Sequence, residues 1–89
     1  MNIADVIVAF DLTAGQFKML TPQQYAILCY ITQFGSISPM EAFSDLNITK
    51  LSTRISEMKS LGIRFDQGYE GRTNRLGKKV HYMRYRRAA

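Results

Sequence analysis

The chain has 89 residues, of which 46% are hydrophobic, enough for one domain with a single core. No run approaches the roughly 18 consecutive apolar residues of a membrane-spanning helix, and the first residues show no basic segment or cleavage-like site of a signal peptide. The single cysteine, Cys29, excludes an internal disulfide and suits a reducing compartment. We therefore expect one cytoplasmic domain that makes no membrane contact.

The net charge of +5 is divided unequally along the chain. Residues 1–49 carry one lysine against four acidic residues, a sum of −3, whereas residues 50–89 carry eleven lysines and arginines against three acidic residues, a sum of +8. A positive half on so small a protein indicates a polyanionic partner, because neutralising phosphates releases counterions and favours binding. The alternative is a basic surface that only keeps the protein soluble.

Residues 1–20 have the least regular pattern. Residues 3–10 fit a short helix, but the β-branched run Val6-Ile7-Val8 fits a strand equally well. Residues 11–15 have the composition of a turn. We interpret residues 1–20 as a short helix or an extended arm that adds apolar cover, either to the core or at a dimer contact.

A helix is predicted over residues 22–34. Thr21, Pro22 and Gln24 have the order of an N-cap, an N1 proline and an N3 glutamine, in which cap and glutamine side chains bond each other's backbone amides. Gly35 is suited to end the helix. The apolar face is wide, as expected of a helix packed on two neighbours, and we place Cys29 in the core.

The same start pattern recurs at Ser38, Pro39 and Glu41, and it predicts a helix over residues 39–45. Asn47 is suited to a left-handed residue at the end of that helix.

A second helix is predicted over residues 50–61, with Thr49 as its N-cap and Gly62 as the glycine that ends it. Two capped helices separated by three or four residues form a helix-turn-helix.

The second helix of this motif has an apolar side and a polar side. Leu51, Ile55 and Met58 fall within one narrow sector, which predicts the core-facing side. Small hydroxyl side chains and a lysine or arginine can contact bases or phosphates in a major groove. The candidate DNA contacts are Thr49, Lys50, Ser52, Thr53, Arg54 and Ser56. The alternative is an ordinary solvated helix face.

Arg54 has two interpretations, because it lies at the edge of the apolar sector. In the first interpretation, Arg54 pairs with Glu41 or Asp45 and so joins the two motif helices. In the second, it contacts a phosphate from the flank of the helix.

The last part of the chain predicts a β-hairpin. Residues 63–69 alternate, with Ile63, Phe65 and Tyr69 on one predicted buried side, and residues 80–85 predict a second strand whose inward face the pattern leaves open. We call the connecting residues 71–79 the wing; Gly77 is suited to a positive φ near its tip. The candidate DNA contacts of the wing are Arg72, Asn74, Arg75, Lys78 and Lys79. Residues 36 and 37 are predicted to add a one-residue bridge to this sheet.

These segments resemble the small winged helix-turn-helix domains common in phage and prophage genomes. The resemblance is carried by Gly35-Ser36-Ile37-Ser38, Met40-Glu41-Ala42, Leu46-Asn47-Ile48-Thr49, Leu51-Ser52-Thr53-Arg54-Ile55 and Thr73-Asn74-Arg75-Leu76-Gly77. It implies an α+β fold over residues 21–87, with a three-helix core and a C-terminal β-hairpin. It also implies binding of double-stranded DNA, with residues 50–61 in the major groove and the wing on the adjacent backbone. Residues 1–20 lie outside the shared pattern.

The leading hypothesis is a sequence-selective DNA-binding protein of the phage regulator type, and a homodimer is left open. The alternative is a protein-interaction module on the same scaffold, such as a phage-encoded inhibitor of a host protein. No pattern indicates catalysis. One histidine, His81, and one cysteine cannot form a four-ligand zinc site. The glycines of the hairpin do not precede a helix, so they do not form a phosphate-binding loop. We therefore expect no enzyme activity, no metal and no cofactor.

Overall fold

The computed structural model describes residues 3–88. These residues form helices and one antiparallel hairpin, in the order α1 Ile3–Phe10, α2 Ala14–Met19, α3 Pro22–Phe34, α4 Pro39–Leu46, α5 Leu51–Ser60, β1 Phe65–Thr73 and β2 Lys79–Arg87. The predicted α+β fold is confirmed, with α4 and α5 as the helix-turn-helix and α3 as the third core helix. The three predicted helices over residues 22–61 agree with α3, α4 and α5 within one residue at each end.

One capping pattern starts α2, α3 and α4. At each start a threonine or serine hydroxyl accepts the third helical amide, and the glutamine or glutamate at that third position accepts the cap amide. This confirms the predicted starts of α3 and α4. The start of α2 at Thr13 was not predicted, and the expected turn over residues 11–15 is therefore wrong in its second half. Asp11, at φ 51°, makes the turn, whereas Gly15 already lies in α2.

The N-terminal segment is helical and contributes to the core. Val6 and Phe10 of α1 and Leu12 after it are buried in one cluster with residues of the later helices, and the rings of Phe10 and Phe65 lie 5.5 Å apart. The helical interpretation of residues 3–10 is thereby confirmed, and the strand alternative is wrong. The core residues outside this segment are Ile27, Leu28, Ile31, Ile37, Ala42, Ile48, Leu51, Ile55, Met58, Ile63 and Tyr85.

The predicted helix ends are confirmed by left-handed residues at Gly35 (φ 91°), Asn47 (φ 59°) and Gly62 (φ 90°). The predicted cap of α5 is wrong. The N-cap residue is Lys50, with φ −124° and ψ 57°, and no side chain caps this end. Because α5 begins at Leu51, Thr49 lies one position too early to reach its free amides.

The hairpin is longer than predicted. β1 and β2 pair in register from Phe65 opposite Arg87 to Thr73 opposite Lys79, so only residues 74–78 form the turn. The predicted bridge is confirmed, since the Ile37 amide donates to the Tyr85 carbonyl at 2.8 Å and the Tyr85 amide donates back at 2.9 Å. Tyr85 is the buried side chain of β2.

The predicted buried face of the first strand is only partly correct. Ile63 is buried but precedes the strand, and Phe65 is half-buried. Tyr69 is 76% exposed, so its predicted burial is wrong. The reason is that the hairpin projects beyond the helices at this point, and every residue from 71 to 80 is exposed.

Candidate nucleic-acid interface

α5 presents a polar face to solvent. Leu51, Ile55 and Met58 are buried, as predicted. The predicted contact residues on the other side are all exposed: Thr49, Lys50, Ser52, Thr53 and Ser56. A shallow depression on this face is lined mainly by hydroxyl side chains, from Ser52 to Ser60. Small side chains of this kind let a helix approach base edges closely, which suits a major groove.

The carboxylate of α5 is already paired. The Nε2 of Gln24 donates to Glu57 Oε1 at 3.0 Å, and Arg54 Nε lies 3.2 Å from the same oxygen. Arg54 carries the opposite charge, so it lowers the repulsion that the Glu57 carboxylate would exert on a phosphate. Gln24 is itself buried, so this contact also joins α3 to α5.

Arg54 therefore pairs with neither of its predicted partners. The brace to Glu41 or Asp45 is wrong, because Glu57 lies three residues further along the same helix, at the spacing that brings side chains together. Glu41 pairs with Arg84, and Asp45 accepts the Tyr30 hydroxyl at 2.6 Å, which raises the pKa of Tyr30 to about 12. The phosphate contact predicted for Arg54 stays a prediction.

The C-terminal end of α5 is held by two other elements. Gln16 of α2 donates from Nε2 to the Leu61 carbonyl at 3.0 Å, and Lys59 Nζ donates to Gln67 Oε1 on β1. A β-carbon at Gly62 would lie 3.1 Å from Gln16 Nε2, so the glycine permits this close approach as well as the positive φ. The role of Gln16 was missed, although Thr13 and Gln16 repeat the spacing of Thr21 and Gln24.

The turn of the wing is shaped by Asn74. Its Oδ1 accepts the amides of Leu76 and Lys78 at 2.9 and 3.0 Å, and Gly77 takes the predicted positive φ of 78°. The turn holds the basic side chains of the wing in solvent: Arg72, Arg75, Lys78 and Lys79. Asn74 thus has a structural role, and its predicted DNA contact stays untested.

A cluster around Arg84 lies at the base of the hairpin. The guanidinium Nη1 lies 2.9 Å from Glu41 Oε1 and 3.0 Å from Ser36 Oγ, and Nε lies 3.0 Å from Glu70 Oε2. The Tyr82 hydroxyl also donates to Glu70 Oε2, at 3.0 Å. The hydrogen bonds from Arg84 and then from Tyr82 lower the pKa of Glu70 below its ordinary value. Sequence reasoning missed this cluster, because its members lie far apart in the chain.

The described part of the chain was also searched for metal-binding clusters and membrane-spanning helices. Among residues 3–88, no three or more histidine, cysteine, aspartate and glutamate side chains gather where they could hold a metal ion. Within the same residues, no helix has the length and apolar character needed to cross a membrane. The sequence predicts Cys29 inside the core, but this side chain is half-buried and packs against the core from outside.

A comparison with protein families identifies the family of the chain. A family model described as a winged helix-turn-helix domain matches residues 22–86, from the start of α3 almost to the end of β2. The comparisons with curated proteins and with solved structures found no match.

Proposed function

The chain belongs to the winged helix-turn-helix domain family, and from that premise we propose that it binds double-stranded DNA with sequence selectivity. In the proposed complex α5 enters the major groove and the wing contacts the adjacent backbone. The observation that carries the proposal is the exposed hydroxyl-rich face of α5, whose one carboxylate is already paired with Gln24 and Arg54. That face adjoins Lys50 at the N-terminal end of the helix, where recognition helices reach base edges.

The basic wing supports the same function. Its arginines and lysines are exposed and free to approach phosphates, which is the contact type that supplies sequence-independent affinity. Base contacts from α5 then supply the selectivity, since lysine can donate to guanine O6 or N7 and a threonine methyl can pack on a thymine methyl.

The test is selection from a random duplex pool with the unsubstituted protein, Lys50→Ala and Thr53→Ala. We expect one enriched motif, and each variant should relax preference at particular positions, by about 1–3 kcal/mol per lost base contact. Lys18→Ala is the matched control, because it removes the same charge from an exposed site on α2. An unsubstituted protein that enriches no sequence would contradict the proposal, and so would variants whose motif is unaltered.

The biological role that we propose is transcriptional regulation of the phage type, by a cytoplasmic protein that is not an enzyme and needs no cofactor. The resemblance of the motif residues to phage and prophage domains supports this role. Reporter expression from a promoter that contains the selected motif would test it, with the motif-scrambled promoter as the control. Equal expression from both promoters would exclude regulation through this sequence.

A second candidate function, binding of a protein partner or a second copy, is favoured by one surface. Phe34 at the end of α3 is 64% exposed and lies 4.7 Å from the Tyr30 ring, beside a groove between α3 and α4. Sedimentation of the protein alone and of Phe34→Ser tests the second copy. A dimer that dissociates in the variant would support it, and a monomer at all concentrations would oppose it.

A further inference from the structure

The hairpin contacts the helical part of the protein through one face of its sheet. Tyr85 of β2 is buried and its backbone pairs with Ile37. Phe65 of β1 packs against Phe10, and Gln67, which lies opposite Tyr85, accepts a hydrogen bond from Lys59. Because side chains alternate along a strand, Phe65, Gln67 and Tyr85 lie on the same face. A second contact, on the opposite face, restricts the angle at which the hairpin projects.

Arg84 provides this second contact. Because neighbouring residues of a strand point to opposite faces, Arg84 lies on the outer face of the sheet while Tyr85 lies in the core. Its Nη1 bonds Glu41 of α4, and its Nε bonds Glu70 of β1. One guanidinium therefore joins the first motif helix to both strands of the hairpin.

The surroundings of Arg84 keep it in this position. Its side chain is only 16% exposed, and its guanidinium carbon lies 5.8 Å from the centre of the Tyr82 ring. Glu41 Oε1 also accepts the Ser38 amide at 2.9 Å in the cap of α4, so the carboxylate that Arg84 contacts cannot swing away freely. The planar guanidinium can direct separate N–H groups at two carboxylates, whereas a lysine ammonium lacks this fixed geometry.

We propose that Arg84 is a positioning residue that fixes the angle of the wing relative to the helix-turn-helix, and that it contacts no DNA itself. The first part of the proposal concerns the free protein. The second part, that the fixed angle aids DNA binding, rests on the function proposed above.

The first experiment measures the wing angle without DNA. Nitroxide labels at Leu76→Cys on the wing and Ser44→Cys on α4, both exposed sites, in a Cys29→Ser background report one distance by double electron–electron resonance. We expect a narrow distribution in the labelled parent and a broadened or displaced one in Arg84→Gln. Arg86→Gln is the matched control, because it removes the same charge from an exposed residue two positions along β2. An unchanged distribution in Arg84→Gln would overturn the proposal.

A second variant covers the case in which Arg84→Gln does not fold. Glu41→Gln keeps the shape of the side chain and the oxygen that accepts the Ser38 amide in the cap of α4, and it removes the charge through which α4 pairs with Arg84. The distribution should broaden in this variant too, and less than in a folded Arg84→Gln. A Glu41→Gln protein with the parent's distribution would count against the contact between Arg84 and α4 as the element that fixes the angle.

The second experiment measures duplex affinity against salt concentration. If the wing occupies its binding-competent angle about one tenth of the time in Arg84→Gln, affinity should fall about tenfold. The slope of log affinity against log salt should stay the same, because no phosphate contact is lost. A fall in slope of about 0.9 would show that Arg84 contacts a phosphate and would overturn its assignment as a positioning residue. A parent that binds no duplex would refute the proposed function, while the label distances would still decide whether Arg84 fixes the wing.

Discussion

The helical body and the hairpin of this protein are stabilised in different ways. Within the described chain, all buried core residues except Tyr85 lie in the body, residues 3–63. The body carries four basic and five acidic residues, a sum of −1, whereas residues 65–87 carry seven basic and two acidic residues, a sum of +5. Burial of apolar side chains thus stabilises the body. Backbone hydrogen bonds between β1 and β2 stabilise the hairpin, and its side chains give it a net positive charge.

Because of this difference, we expect substitutions in the body to change stability and substitutions in the wing to change DNA affinity. Removing apolar volume from the body should lower the free energy of unfolding, because burial is the main favourable term there. Removing charge from the wing should change the affinity for a polyanion with little change in stability, because exposed side chains contribute little to folding. The base of the hairpin, where Arg84 meets Glu41 and Glu70, is the point at which the two effects should meet.

The largest expected effect is in the body. Ile55 of α5 is 1% exposed and packs in the core, so Ile55→Ala should lower the free energy of unfolding by about 2–5 kcal/mol. Ser56→Ala, at the next position and on the exposed side of α5, is the control. It should change the free energy of unfolding by no more than about 0.5 kcal/mol. Urea denaturation of both variants measures the difference. Equal losses would mean that α5 buries a different face.

Most of the helical body was predictable from local sequence. The capping patterns at Thr21 and Ser38, and the residues Gly35, Asn47 and Gly62, act on backbone groups within a few positions of themselves. Such signals do not depend on the rest of the fold, which is why these helix ends were found. Thr13 gives the same signal for α2, which was overlooked because Gly15 inside the helix resembles a turn residue.

What could not be predicted depends on distant parts of the chain. Tyr69 occupies a position that the alternating pattern predicts to be buried. Burial requires a neighbouring element, however, and the hairpin projects beyond the helices at Tyr69. Arg54 has plausible partners on α4, but the nearest carboxylate in three dimensions belongs to Glu57. The Arg84 cluster joins residues more than 40 positions apart, and no local spacing indicates such a set.

The second expected effect is on the wing. The triple variant Arg72→Ala, Arg75→Ala and Lys78→Ala should bind all duplexes more weakly and reduce the salt slope by about 0.9 for each lost phosphate contact. Its unfolding free energy should stay close to that of the parent, since all three side chains are exposed. Leu76→Ala, from the same turn, keeps the charge and serves as the control. Unchanged salt dependence in the triple variant would show that the wing does not bind phosphates.

The smallest expected effect is on the protonation of Glu70, and it tests the junction between the two regions. Hydrogen bonds from Arg84 and Tyr82 lower the pKa of this carboxyl below its ordinary value of 4.5. A group whose pKa is lower in the folded state stabilises the fold above its unfolded pKa, and this contribution disappears as the pH falls through the folded pKa. The cluster should therefore be intact near neutral pH and weaken only in acid, below the ordinary range of glutamate.

Carbon-13 NMR titration of the Glu70 carboxyl measures this pKa directly. In Arg84→Gln the value should rise towards 4.5, because the hydrogen bond with the largest influence is lost. In Arg86→Gln it should rise less, because Arg86 acts on Glu70 only through its charge and more weakly than the hydrogen bonds. Equal rises in the two variants would show that overall positive charge, and not the contact with Arg84, lowers the pKa of Glu70, so that the body and the hairpin would lack this specific link.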